Sequence, residues 1–158
     1  MATREEIIAG LEFTVAQGKR TTALYAEGEW DWTRAGGWTP RQVYSHLAAV
    51  AGIVPGLAQG MMAASEEADM LAGMDINAMN DQAVAGMASM TPEQVMQAFA
   101  TNYGKLVEFV KAMPDEVLNS KRRMLSDAIP VSDILANVVM LHGIHHVYEE
   151  NSRFESPI

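Results

Sequence analysis

The chain contains no cysteine, which excludes disulfides, thiolate metal sites and a cysteine nucleophile. Basic residues are scarce: 11 Lys and Arg stand against 20 Asp and Glu, a formal charge of −9. That balance leaves no positive stripe for a nucleic-acid backbone or an anionic membrane, so neither is expected as a partner. No uninterrupted apolar run approaches the roughly 18 residues of a membrane span. The N-terminus, Met1-Ala2-Thr3-Arg4-Glu5-Glu6, turns acidic at residue 5, unlike the basic-then-apolar layout of a signal peptide. A cytoplasmic protein is expected. Sustained period-two alternation, solenoid repeats, a phosphate-binding glycine loop and a dinucleotide fingerprint are all missing. At 158 residues the length suits one domain, taken as 1–158.

What is present is helix chemistry. Thr3 with Glu6 forms a capping box ahead of Ile7, Ile8, Leu11, Val15 and Leu24, predicting a helix that runs to about Glu27 and stops at Gly28 and Gly36-Gly37. Thr39-Pro40-Arg41-Gln42 opens a second, with Val43, Leu47, Val50 and Val54 on its apolar face and Pro55 marking a kink or an early end. Residues 63–90 read as a long crossover in which Asp75 starts a short helix. Thr91-Pro92-Glu93-Gln94 repeats the second start, and its helix runs to Met113-Pro114. A second connection, 115–130, holds the basic cluster Lys121-Arg122-Arg123, read as a solvated turn. The last helix spans about Val131 to Asn151. The pattern predicts an all-α four-helix bundle, with the long crossover between helices 2 and 3 letting neighbours run parallel.

The four histidines are His46, His142, His145 and His146. His142 and His146 are four apart on one helix, so their imidazoles stack on one face, a spacing that suits two ligands of one ion. His46 lies three residues after Val43 and four before Val50, also on an apolar face, so three histidines from two helices can converge. An H-x-x-x-H pair alone is also common chance spacing, and bundle histidines usually make ordinary hydrogen bonds. Imidazole suits Zn, Ni, Cu and Fe, and three protein ligands with open positions describe a catalytic ion. Its uncompensated charge would favour ionisation of a bound water or thiol. Zincin chemistry is set aside because Gly143 follows His142 where the H-E-x-x-H glutamate belongs. Glu149, seven residues past His142, is the candidate supporting base. His145 is off the pair's axis.

Trp38-Thr39-Pro40-Arg41-Gln42-Val43-Tyr44-Ser45-His46-Leu47 together with His142-Gly143-Ile144-His145-His146 resembles the DinB/YfiT-like superfamily, which includes the N-terminal domain of mycothiol-dependent maleylpyruvate isomerases. Asp75-Ile76-Asn77-Ala78-Met79-Asn80-Asp81-Gln82 and Met113-Pro114-Asp115-Glu116 are similar to the isomerase-like branch. The resemblance implies an up-down-down-up bundle, a divalent ion on His46, His142 and His146, and a homodimer. It also implies thiol-dependent transferase or isomerase activity with mycothiol or bacillithiol. The chain departs from it at Val147-Tyr148-Glu149, where many members carry Arg-Gly-Gln, and at His142, where the isomerases have Glu. The isomerases' additional C-terminal domain has no counterpart in these residues.

Eight of the twelve methionines fall between Met61 and Met96, suited either to filling gaps in a core or to a plastic wall for an apolar substrate or partner. Trp30, Trp32 and Trp38 either cap the core or roof the metal, and Asn77, Asn80 and Gln82 either cap a helix or contact substrate. Trp38 and Asn80 are taken as cofactor-binding candidates. The expected function is metal-dependent, thiol-dependent transferase or isomerase chemistry on a small molecule, with zinc ahead of nickel and a low-molecular-weight thiol as cosubstrate. The alternatives are a metal-dependent hydrolase and a non-catalytic bundle that binds a ligand or partner.

Overall fold

A computed structural model describes residues 1–33, 37–69, 71–124 and 127–152. Gly36 and Met70, read above as a helix stop and as one of the clustered methionines, lie outside the described residues. The chain is predominantly helical: α1 (Arg4–Thr22), α2 (Pro40–Ala63), α3 (Ile76–Gly86), α4 (Pro92–Ala112), α5 (Asp115–Asn119), α6 (Val131–Leu135) and α7 (His142–Ser152). A π-helical segment, Ala136–Leu141, joins α6 to α7 without a break, so the three make one rod. The bundle consists of α1, α2, α4 and that rod in the up-down-down-up arrangement, with α3 in the crossover and packed on α2.

The three capping boxes form as the sequence predicts. Thr3, Thr39 and Thr91 each accept from the third helical N–H, and Glu6, Gln42 and Gln94 reach back to the cap N–H. Apolar residues at helical spacing then meet in one core. Ile7 and Leu11 of α1, Tyr44 and Leu47 of α2, and Phe99 and Leu106 of α4 are each fully buried. Tyr44 meets Phe99 edge-on at 5.4 Å between centroids, which locks α2 to α4.

Four expectations need correction. The first helix ends at Thr22, not near Glu27, because Leu24 (64% exposed) finds no apolar surface to bury against. Gly28, at φ +83°, instead turns the chain into a 3-10 turn, Glu29–Asp31, that returns Trp30 onto Tyr25 and Tyr44. The second helix does not end at Pro55 but continues to Ala63. There the Arg122 Nε–H donates to the Met61 carbonyl at 3.1 Å, giving a cation to the helix C-terminus. Arg122 belongs to a two-stranded antiparallel pair, β1 (Lys121–Arg122) with β2 (Ile129–Pro130), so the basic cluster is partly structural. The crossover helix is longer than expected, eleven residues capped by Asp75.

Among the described residues, α2 alone is long and apolar enough to cross a membrane by length and composition. Its apolar face is the one that packs on α4, as a core helix does.

Candidate metal centre

The centre is assembled by two helices with different regularity. On α2, His46 sits in a run of buried residues, Val43 to Ala48, and is itself 3% exposed. On the rod, the π segment ends at Leu141, and His142 opens α7 with His146 one turn later. Gly143 lets this helix approach α4: a Cβ there would lie 2.5 Å from the Tyr103 hydroxyl. Gly10 does the same for α1 opposite the π segment, where a Cβ would collide with Met140.

His46, His142 and His146 converge. Their Nε2 atoms approach at 3.0 Å (His46 to His142) and 3.1 Å (His142 to His146), and one ring nitrogen from each lies within 4.8 Å of the others. The rings stand nearly perpendicular, at 87°, 81° and 88°, each presenting an edge to a common point. Glu149 Oε2 lies 3.0 Å from His146 Nδ1. A carboxylate accepts, so Nδ1 carries the proton and His146 Nε2 faces inward with a lone pair. One N–H on His142 can point well at only one of its two neighbours. Protons alone therefore leave at least one contact in the triad poorly satisfied. The Nδ1 atoms of His46 and His142 are buried without a hydrogen-bond partner among the described residues.

The electrostatics keep the imidazoles neutral. Burial, with a smaller contribution from His146, pushes His46 down to about 4. Burial followed by the neighbouring histidines pushes His142 down to about 3. Burial also lowers His146, against an upward pull from Glu149. Neutral imidazole is the form that offers a lone pair to a cation.

The remaining candidates divide. Trp38 tilts its ring over His46, at 4.8 Å between centroids and 55°, whereas Trp30 packs in the aromatic core and Trp32 is exposed. Glu149 also meets His145 Nε2 at 3.3 Å, and His145 stands at the rim with its side chain 65% exposed. Glu149 thus has an imidazole on each oxygen, His145 on Oε1 and His146 on Oε2. Asn80 does not join the triad; it lines an apolar cavity between α2, α3 and the π segment.

Two features escaped the sequence reading. Glu150, one turn beyond His146, is 2% exposed and accepts from the Tyr25 hydroxyl at 2.7 Å. The i, i+4 relation to His146 is the signal that could have singled it out over its neighbour Glu149 as the buried carboxylate. The π segment had no comparable signal, since its residues fit a regular helix equally well.

No curated protein matches the chain's sequence. Among solved structures, YfiT from Bacillus subtilis, described as "a probable metal-dependent hydrolase with an unusual four-helix bundle topology", is similar with a TM-score of 0.71 at 20% identity. That match covers 95% of this chain and 86% of YfiT. The mycothiol-dependent maleylpyruvate isomerase is similar with a TM-score of 0.70 at 17% identity; the match covers 92% of this chain but only 60% of the isomerase. DfsB, a sibling lethal factor precursor, has a TM-score of 0.76 at 11% identity, covering 97% and 95%. At these identities the likeness concerns the fold. The family described as the mycothiol maleylpyruvate isomerase N-terminal domain matches residues 14–147, and the chain belongs to that family.

Proposed function

We propose that His46, His142 and His146 hold one divalent cation, zinc ahead of nickel, and that the chain is a metal-dependent enzyme acting on a small molecule together with a low-molecular-weight thiol. The convergence of three Nε2 atoms carries this reading. Zinc–nitrogen distances of about 2.0–2.1 Å in a tetrahedral site place donor nitrogens roughly 3.3 Å apart, close to the 3.0 and 3.1 Å spacing here. The residues therefore fit such an ion, and a three-histidine set leaves coordination positions for a guest. When bound, the ion supplies positive charge that lowers the pKa of a thiol or water held beside it.

The chain's own residues do the rest. Burial keeps His46 and His142 deprotonated, so no proton has to be displaced at neutral pH. Glu149 fixes the tautomer and orientation of His146. Trp38 covers His46 and excludes water from that side of the triad. Family membership supports thiol chemistry, and we place the reaction in the cytoplasm, in a homodimer. Likeness to YfiT supports a second reading, hydrolysis, in which water takes the place of the thiol.

The test is metal content of the full chain purified without a nickel column. One equivalent of zinc or nickel is expected, and His46→Ala should bind it at least tenfold more weakly. A chain that carries no metal and takes none up defeats the proposal. Turnover that needs an added thiol separates transfer from hydrolysis.

A further inference from the structure

The cavity that Asn80 lines lies alongside the triad. Val50 and Ile53 of α2, Met79, Asn80 and Ala83 of α3, and Val138 of the π segment form its walls around a partly open space of about 180 Å³. Val50 follows His46 by four residues on one face of α2, so the cavity begins about 6 Å along that helix from the imidazole. Val138 precedes His142 by four residues on the rod. Both ligand-bearing helices thus run from the triad directly into this wall. A second, smaller pocket shares Val54, Leu57, Leu71, Met124 and Val138 with it and continues inward with no polar lining.

None of the described residues lining either space is charged, and Asn80 is the single polar side chain. Arg122, two residues from Met124, is committed elsewhere: it donates to Met61 O and Lys121 O and pairs with Glu66. A carboxylate entering here would lose its water and gain no cation. An enclosed apolar cavity of about 150 Å³ accepts benzene, so by volume this partly open one has room for a group of about six carbons. Methionine walls at Met79 and Met124 adapt to its shape.

We propose that this cavity binds the uncharged alkyl or aryl arm of the substrate, with Asn80 meeting the one polar group such an arm carries, while its reactive end lies at the triad. The proposal rests on the metal-enzyme reading for the second half of that statement and on the cavity alone for the first. The substrate class is accordingly a neutral electrophile with a hydrophobic arm of about six carbons, distinct from a small polyanionic acid.

Titration of the ¹⁵N-labelled full chain with n-alkanols from butanol to octanol tests it. Saturable shifts centred on Val50, Ala83 and Val138 are expected, with affinity rising roughly fourfold per methylene up to about hexanol and then levelling. Ala83→Phe should weaken hexanol at least tenfold, and Ile53→Trp, at a half-exposed position, gives an independent obstruction should the first variant lose its helical melt. Absence of saturation, shifts insensitive to both variants, or tighter binding of succinate at the same amides would overturn the proposal. Zinc titration of the same sample separates the two ideas. Alkanol binding without zinc uptake sinks the metal reading and leaves the cavity; zinc uptake without alkanol binding does the reverse.

Discussion

The helices that start with Thr and the rod that carries two of the three converging histidines are built differently. The helices α1, α2 and α4 each begin at a reciprocal capping box, and two of them place Pro at the first turn. The rod begins after Pro130 with no side-chain cap, makes five residues of α-helix, passes through a π segment and resumes the α-helix at His142. Regularity scaffolds the bundle, and the irregular stretch leads directly into the helix that carries His142 and His146. A π segment is a common companion of functional sites because it re-aims side chains that a plain helix would spread evenly.

The largest expected effect falls on the rod. His142→Ala should weaken zinc binding more than 100-fold while the helical circular dichroism spectrum stays wild-type, since the side chain is only half-buried and sits between two other rings. Preserved affinity would remove the rod's claim to the site.

Next comes pH. His46 and His142 have folded pKa values below the ordinary 6.5, so below that pH the unfolded chain binds more protons than the folded one. Their contribution to the stability of the metal-free protein is therefore complete above about 6.5 and is lost as pH falls toward about 4 and 3. Thermal melts of metal-free protein should decline across that window, less steeply in His46→Gln. Equal slopes in both proteins would mean that the imidazoles are not held neutral by burial.

A smaller effect is expected at Glu149. Glu149→Ala should lower zinc affinity roughly tenfold, as losing the group that orients a ligand typically does, and Glu149→Gln should restore part of it. Unchanged affinity in both variants would reduce Glu149 to a surface partner of His145. The smallest belongs to the regular region: Thr91→Ala should cost about 1 kcal/mol in urea unfolding and leave zinc binding untouched. A metal effect there would erase the contrast between scaffold and site.

Legibility follows the same division. Capping boxes and helical spacing announce α1, α2 and α4 because local hydrogen bonding decides where they start. His46 and the His142/His146 pair are visible for a related reason: the face of a helix follows from its spacing, and each faces apolar neighbours. The end of α1 is not legible, because Leu24 continues the periodicity and only the absence of a packing partner stops the helix. The 3-10 turn, α5 and the two-residue strands are too short to carry a period. Trp38 reaches His46 through the turn into α2, and Asn80 shares a cavity with the distant Val138; no helical period encodes either placement or separates them from Trp32 or Asn77.

The rod is also fastened to α1 and to the turn that follows it, at its middle and at its C-terminal end. At mid-length Met140 nests against Gly10; near its finish Thr21 donates to Asn151 and Tyr25 to Glu150. Those ties set the face that carries His142 and His146 toward α2, while one helical turn sets the spacing between the two. His46 answers to a different frame, the buried run Val43 to Ala48 of α2, so the two halves of the triad are held by two separate sets of contacts.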